Sequence, residues 1–383
     1  MNRPTRVVHV LGSVDRGGAE MRTLEIVRQL DPALFKVGVV TLSGRYGELS
    51  DEYRAAGAEI HPLPIRDFRF PAKFHQFLRE WRADVVHSHV ALSSGPILLL
   101  AATAGVRRRI AHLRSDGVDL NTFTVLKKSR LYISRELMWR LATRVLAVSP
   151  SALDNAAAGT NRGSKAEVLP NGIDLSKFNP SKVGDIRAEL VPGLSEPLIV
   201  HVGRADIPTK NREGALEYFR AHRLQGGLGH LLFVGRDCAS GEDPELARAA
   251  WRQAAQQLGL GQHVTFLGER SDVPSIIASS DVFLSTSTLE GLPGVVLEAR
   301  ALGTPTVSSA VPGAVFLAER LGHIKIVRSN EQDSWAAAIW QALATQPSMA
   351  DRQAAHDSLV GSEFDVSVTA KRLERLWRGE EES

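Results

Sequence analysis

The chain has a single cysteine, Cys238, among 383 residues. One cysteine excludes an internal disulfide framework and points to a reducing compartment. Long apolar runs are also lacking. The longest, Pro96 to Val106, falls well short of the ~20 residues that a membrane-spanning helix needs. The N-terminus, MNRPTRVVHVLG, carries an apolar run of strand length and no secretory pattern, so the expected location is the cytoplasm. Low-complexity tracts and short repeats are missing. So is a complete G-x-G-x-x-G fingerprint, which disfavours a nicotinamide dehydrogenase.

Length points to two domains, because a single hydrophobic core rarely grows this large. The net charge of +3 hides an asymmetry. Residues 1–190 hold 28 Lys/Arg against 19 Asp/Glu, and residues 191–383 hold 18 against 24. A basic first half suits an anionic partner or surface as well as an ordinary solvated face.

The apolar pattern is strand, helix, strand, repeated. Strands are expected at 6–13, 36–43, 58–64, 84–90, 109–114, 143–149 and 166–170. A second series follows at 197–204, 229–236, 262–269, 280–286, 304–310 and 322–328. Unalternating apolar strands separated by helices indicate parallel sheets covered on both faces. The Gly/Pro-punctuated stretch 181–197 separates the two series. The expected organisation is therefore two Rossmann-like doubly wound domains, 1–185 and 186–362, facing a central cleft. An amphipathic C-terminal helix and tail occupy 363–383. Ligands of such sheets bind outside the strand carboxyl ends.

Three strand ends carry candidate chemistry. After the strand at 280–286 comes Glu290-GLPGVVLE-Ala299. Its Gly-Leu-Pro-Gly turn opens a helix whose N-terminus offers free N–H groups to a phosphate. Glu290 precedes that helix and Glu298 lies about one and a half turns into it, far enough apart to touch different parts of one extended ligand. After the strand at 197–204 come Arg204 and Lys210, two cations able to clamp a diphosphate. After the first strand, Gly17 and Gly18 open a helix and give another phosphate-friendly turn.

These motifs, taken in order, resemble a GT-B-fold retaining glycosyltransferase of family 4 (glycosyltransferase group 1). The resemblance rests on Gly17-Gly18-Ala19-Glu20, on Leu169-PNGID-Leu175 with Phe178 and Pro180, and on Gly203-Arg204 with Lys210-Asn211. It rests further on Val264-TFLGERSDVP-Ser275 and on Glu290-GLPGVVLE-Ala299 with Gly303-Thr304-Pro305. It spans nearly the whole chain.

The resemblance implies roles. Arg204 and Lys210 hold the donor's diphosphate and stabilise the departing nucleotide. Glu290 binds hydroxyls of the transferred sugar, with the backbone of Gly291 and Leu292 nearby. Glu298 binds the ribose, the loop with Arg270 lies near the base, and Gly17 and Gly18 close on the phosphate. His112, in Arg109-IAHLRSD-Gly117, is the expected histidine at the reaction centre, and His89 is a weaker candidate. After His112 the chain reads Leu-Arg-Ser-Asp where many members have a small residue, a departure that suits a different acceptor. Asp116 and Asp119 are spaced D-x-x-D, not as the D-x-D of metal-dependent transferases, so no metal and no cofactor are expected.

The donor would be a UDP- or GDP-linked sugar and the acceptor a sugar- or lipid-linked hydroxyl, with no nucleic acid. The segment 125–145 mixes Lys127, Lys128, Arg130, Arg135 and Arg140 with apolar residues. It suits either contact with an anionic membrane or an ordinary helix on a sheet. A nucleotide-sugar epimerase and a non-catalytic nucleotide-sugar-binding subunit remain alternatives.

Overall fold

The structure is a computed structural model that describes residues 3–117, 124–157, 163–239 and 241–380. It forms two compact units, one running to Asp174 and resuming at Gly361, the other spanning Leu175–Val360.

The first unit is built on a seven-stranded sheet. Its strands are β1 (Thr5–Leu11), β2 (Phe35–Thr41), β3 (Ala58–Pro62), β4 (Val85–Ser88), β5 (Arg108–Leu113), β6 (Arg144–Ala147) and β7 (Ala166–Val168). They lie in the order β3-β2-β1-β4-β5-β6-β7, and every pairing is parallel. The absence of alternation in β1 has a simple cause. Val7, Val8, His9, Val10 and Leu11 are all buried, because both faces of a parallel sheet are covered.

The helix Val366–Arg378 completes this unit. Asp365 caps its N-terminus by accepting from Ser367 N at 2.8 Å, and Gly379 ends it at φ 74°. Val366, Ala370, Leu373 and Trp377 recur at helical spacing and join the core with Val7, Ile26, Phe35, Val85 and Ile110. The expected return of the C-terminal helix to the first domain is therefore present.

The second unit contains β8 (Leu198–Val202), β9 (His230–Val234), β10 (Val264–Gly268), β11 (Val282–Ser285), β12 (Thr306–Ser309) and β13 (Ile324–Val327). Their order is β10-β9-β8-β11-β12-β13, again parallel throughout. Stacked rings fill its core, with Tyr218 on Trp335 at 4.3 Å and Phe233 on Phe266 at 5.1 Å.

The sequence reading sets the change of domain at 185/186; the compact units part at 174/175. Residues 175–190 are tied to the second unit by specific bonds. Arg187 reaches Asp281 at 2.8 Å, Ile186 N donates to Ser279 Oγ at 2.9 Å, and His356 Nε2 meets the Leu175 carbonyl at 3.1 Å.

In both sheets the order of strands reverses once. The switch falls between β1 and β4 in the first and between β8 and β11 in the second. Connections leave a switch point in opposite directions, which opens a crevice at the strand carboxyl ends where ligands bind.

Candidate active site

At the second switch point, β8 is followed by Gly203 and Arg204, then by a short turn at Pro208–Lys210. Asn211 adopts left-handed backbone (φ 50°, ψ 54°) and caps the helix Arg212–Leu224 by accepting from Gly214 N at 3.1 Å. Asn and Asp tolerate this region because their short polar side chains bond locally. Asn211 also stitches the turn to the loop after β11. Its Nδ2 donates to the Thr286 carbonyl at 3.1 Å, and Thr286 Oγ1 returns a 2.8 Å bond to the Asn211 carbonyl. Thr288 N donates to Thr209 O at 2.8 Å.

This stitching brings Lys210 and Glu290 together. Lys210 Nζ lies 2.5 Å from Glu290 Oε1, which also accepts from Ser287 Oγ at 3.0 Å. Their side chains are only 25% and 17% exposed, so the charges are partly desolvated and the pair is stronger than a surface contact. Arg204 makes a two-pronged ion pair with Asp206, at 2.9 and 2.5 Å. The guanidinium beside it holds the Asp206 carboxyl below the usual carboxylate range.

Pro293 sits at the N-cap of the helix Gly294–Ala301, and no side chain caps it. Its first backbone N–H groups are therefore available to an anion. Gly291 and Leu292 form the preceding turn, tightly backed: a Cβ on Gly313 would collide with the Gly291 carbonyl. Glu298 is buried within the helix. Arg270 stands after β10, the edge strand. It pairs with Asp272 at 2.6 and 2.8 Å, which pushes the Arg270 pKa up. Lys210 and Glu290 are thus in contact, whereas Arg204 and Arg270 each face a neighbouring aspartate.

Sequence reasoning missed Asp206 and Ser287, and named Asn211 within a motif without giving it a role; all three hold the candidate residues in place. It also missed a buried ion cluster behind the site. Arg212 donates to Asp237 Oδ1 at 2.6 Å and to the Gly203 carbonyl at 3.0 Å, and Arg248 holds Asp237 Oδ2 at 2.9 Å. The charged pair Arg236-Asp237 at the end of an apolar strand was the available signal.

The first switch point has a different character. Gly17 is the N-cap of the helix Gly18–Gln29, again without a side-chain cap, and a Cβ there would collide with Glu20 Oε2. His112, on β5, is 1% exposed. Its Nδ1 lies 3.2 Å from His87 Nε2, with the rings parallel at 5.3 Å. His9 and His89 complete a cluster of four buried histidines, with Trp377 edge-on to His9 at 5.5 Å.

Arg114 donates through Nε to His89 Nδ1 at 3.0 Å. The His89 proton must then sit on Nε2, which meets His9 Nδ1 at 2.9 Å. His89 thus accepts through Nδ1 and donates through Nε2, whereas His9 Nε2, His87 Nδ1 and His112 Nε2 are buried with no hydrogen-bond partner among the described residues. Burial is the main force pushing all four imidazoles down in pKa, His9 to about 3. His9, His87 and His89 lie close enough to share a metal ion. Their donor set fits one poorly, because the bond from Arg114 occupies His89 and a second buried cation would repel the first. Asp116 is buried and accepts from Ser151 Oγ at 2.8 Å; Asp119 lies outside the described residues.

Known proteins add the following. Residues 16–177 match the family described as Glycosyltransferase Family 4, and residues 196–345 match Glycosyl transferases group 1. A capsular polysaccharide biosynthesis glycosyltransferase, CapH of Staphylococcus aureus, is 28% identical over 97% of this chain and 98% of its own length. An Escherichia coli UDP-Gal:alpha-D-GlcNAc-diphosphoundecaprenol alpha-1,3-galactosyltransferase is 25% identical over 72% of this chain and 70% of its own. Among solved structures, Anabaena HepE in complex with UDP-glucose superimposes with a TM-score of 0.80 at 22% identity, covering 98% of this chain and 99% of that one.

Proposed function

The chain belongs to the glycosyltransferases of family 4, or group 1, in the GT-B architecture, and from that premise we propose that it is a retaining enzyme. It moves a sugar from a UDP- or GDP-linked donor to a hydroxyl of a sugar- or lipid-linked acceptor. The observation that carries this reading is the Lys210–Glu290 pair at the second switch point, beside the uncapped helix start at Gly294.

The reaction breaks the bond between the anomeric carbon and the donor's β-phosphate, and negative charge gathers on the departing diphosphate. Arg204, Lys210 and the helix N-terminus oppose that charge without a metal. Preorganised donors of this kind are worth ~3–4 kcal/mol each where charge develops. In this proposal Glu290 holds hydroxyls of the transferred sugar, with the Gly291 and Leu292 backbone beside it. Glu298 takes the ribose, Arg270 lies by the base, and Gly17 and Gly18 meet the phosphate. His112 serves the reacting sugar.

Names of relatives support the pathway and the acceptor class. The S. aureus relative serves capsular polysaccharide and the E. coli relative a diphosphoundecaprenol-linked sugar. Bacterial polysaccharide or glycoconjugate synthesis at the inner face of the cell membrane follows as the proposed setting. The helix Val125–Leu141 supports peripheral contact there. It buries Met138 and Trp139 but leaves Val125, Leu126, Tyr132 and Ile133 more than half exposed beside Lys127, Lys128 and Arg130. Among the described residues no helix is long and apolar enough to cross a membrane.

The test is a thermal-shift screen with UDP, GDP, ADP, CDP and TDP. Turnover then follows in chelator with the matching sugar nucleotides, and the anomeric configuration of the product is read by NMR. Acceptor-dependent release of nucleoside diphosphate with retention is expected. Inversion, or activity abolished by chelator, would overturn the corresponding part. Sugar isomerisation without an acceptor would favour the epimerase.

A further inference from the structure

Arg114 carries a half-buried cation whose hydrogen bonds among the described residues are all to neutral groups. It begins one residue beyond β5, and its Nε and Nη1 are spent on His89 Nδ1 (3.0 Å) and Asn171 Oδ1 (2.8 Å). Its Nη2 is buried and has no hydrogen-bond partner among the described residues. No carboxylate is bonded to it among them; Glu20 acts on it only through space. Burial pulls its pKa down to about 10, which still leaves it charged at neutral pH. A guanidinium whose inward N–H is buried and unmet, with no bonded counter-ion, is costly, and fixed ion pairs are the usual remedy.

The location shows what could meet the missing bond. His89 follows β4, its backbone N bonds the Val10 carbonyl of β1, and its ring contacts His9. Arg114 is thereby anchored over the β1/β4 switch point of the first sheet, where a ligand of this unit would lie. The four histidines there are neutral, so they supply no compensating charge. Asn171 belongs to the turn after β7, so the guanidinium is held from two sides and cannot swing away without breaking both bonds.

We infer that Arg114 is a specificity residue of the acceptor site. Its Nη2–H takes an anionic oxygen of the acceptor, a carboxylate or a phosphate. The inference rests on the glycosyltransferase reading, and on the first unit receiving the acceptor. It adds to that reading an acceptor that must be acidic.

Two arms of one experiment separate the sources of the anion. Transfer is compared between saccharides ending in glucuronic acid and in glucose, and between prenyl-diphosphate-linked N-acetylglucosamine and the free sugar. Each pair is run with wild type, Arg114→Gln and Arg114→Lys. A charge-assisted bond predicts a preference for the anionic member of one pair of about ten- to a hundredfold in kcat/KM. Arg114→Gln collapses that ratio, Arg114→Lys keeps part of it, and the donor KM is unmoved by either. Equal losses on anionic and neutral acceptors, with a lowered melting temperature, would make Arg114 a packing residue and overturn the inference.

A binding arm needs no turnover. Glucuronate, glucose and phenyl phosphate are titrated calorimetrically into Lys210→Ala protein, with and without Arg114→Gln. Binding of either anion, lost in the double variant, supports the site. Indifference to Arg114, or no anion binding, overturns it even where no transfer reaction has been found. Absence of transfer by wild type to any acceptor, with anion binding intact, would instead count against the glycosyltransferase reading.

Discussion

The two switch points share a topology and differ in how they handle charge. At β8/β11 the candidate groups stand in opposite-sign pairs with partial access to water: Lys210 with Glu290, Arg204 with Asp206. At β1/β4 four buried, neutral histidines pack together, with Trp377 edge-on to His9 and His87 and the Arg114 guanidinium bonded to His89. Partly solvated pairs can exchange partners when an anion arrives, at modest cost. A buried network cannot, because each broken bond leaves an unsatisfied group in a low dielectric. The groups at β8/β11 are thus able to rearrange around an anion, and those at β1/β4 hold a fixed shape.

Behind the second site lies one cluster of the buried kind, and breaking it gives the largest expected effect. Asp237→Ala leaves Arg212 uncompensated, with side chains 2% and 1% exposed in the native pair. A loss of about 3–5 kcal/mol of stability is expected, read by denaturant unfolding. A loss below about 1 kcal/mol would show that this cluster behaves like the surface pairs.

Lys210→Ala and Glu290→Ala come next. Each should lower kcat by about 10²–10³ with little change in melting temperature, since both side chains retain solvent access. A parallel loss of activity and stability would erase the contrast between the sites.

The first site should respond to acid. Its imidazoles have folded pKa values well below the ordinary 6.5, so the unfolded chain binds more protons below that value. Their contribution is complete above pH 6.5 and is lost progressively as pH falls from there toward about 3, the folded value of His9. His201 in the second unit, lowered to about 3 mainly by burial, adds in the same direction. A melting temperature unchanged between pH 7 and 5 would contradict this. At constant neutral pH, His89→Leu should cost about 1–3 kcal/mol by orphaning Arg114 Nε and His9 Nδ1.

The smallest effect is expected at Asp206. Asp206→Asn releases Arg204 from a partly exposed pair, so the nucleoside diphosphate should bind a few-fold tighter, within about 1 kcal/mol. A tenfold weakening, measured by calorimetry, would mean that Asp206 orients Arg204 rather than competing with the ligand.

Much of the fold was legible along the chain. All thirteen strands fall where short Val/Ile/Leu runs sit between helical segments, because a strand buried on both faces must be apolar throughout. The Glu290 loop and the Arg204–Lys210 turn were readable because their residues are close in sequence and stand directly at strand ends. Partnerships were not readable. Lys210 and Glu290 are 80 residues apart, and nothing local in either segment announces the other. His9 and His87 lie within apolar strands and pass for ordinary core, and Arg114 registered only as a departure from the family pattern.

The sequence by itself determined the two parallel sheets, the family, and which strand ends hold the candidate residues, since those follow from local periodicity and short motifs. Only the tertiary structure decided which charges meet. It set Lys210 against Glu290, enclosed four histidines, and left an Arg114 N–H over β1 and β4 unmet among the described residues. The physical reason is that pairing and desolvation depend on distances of a few ångströms between segments remote in the chain, and strand order, not sequence order, sets those distances.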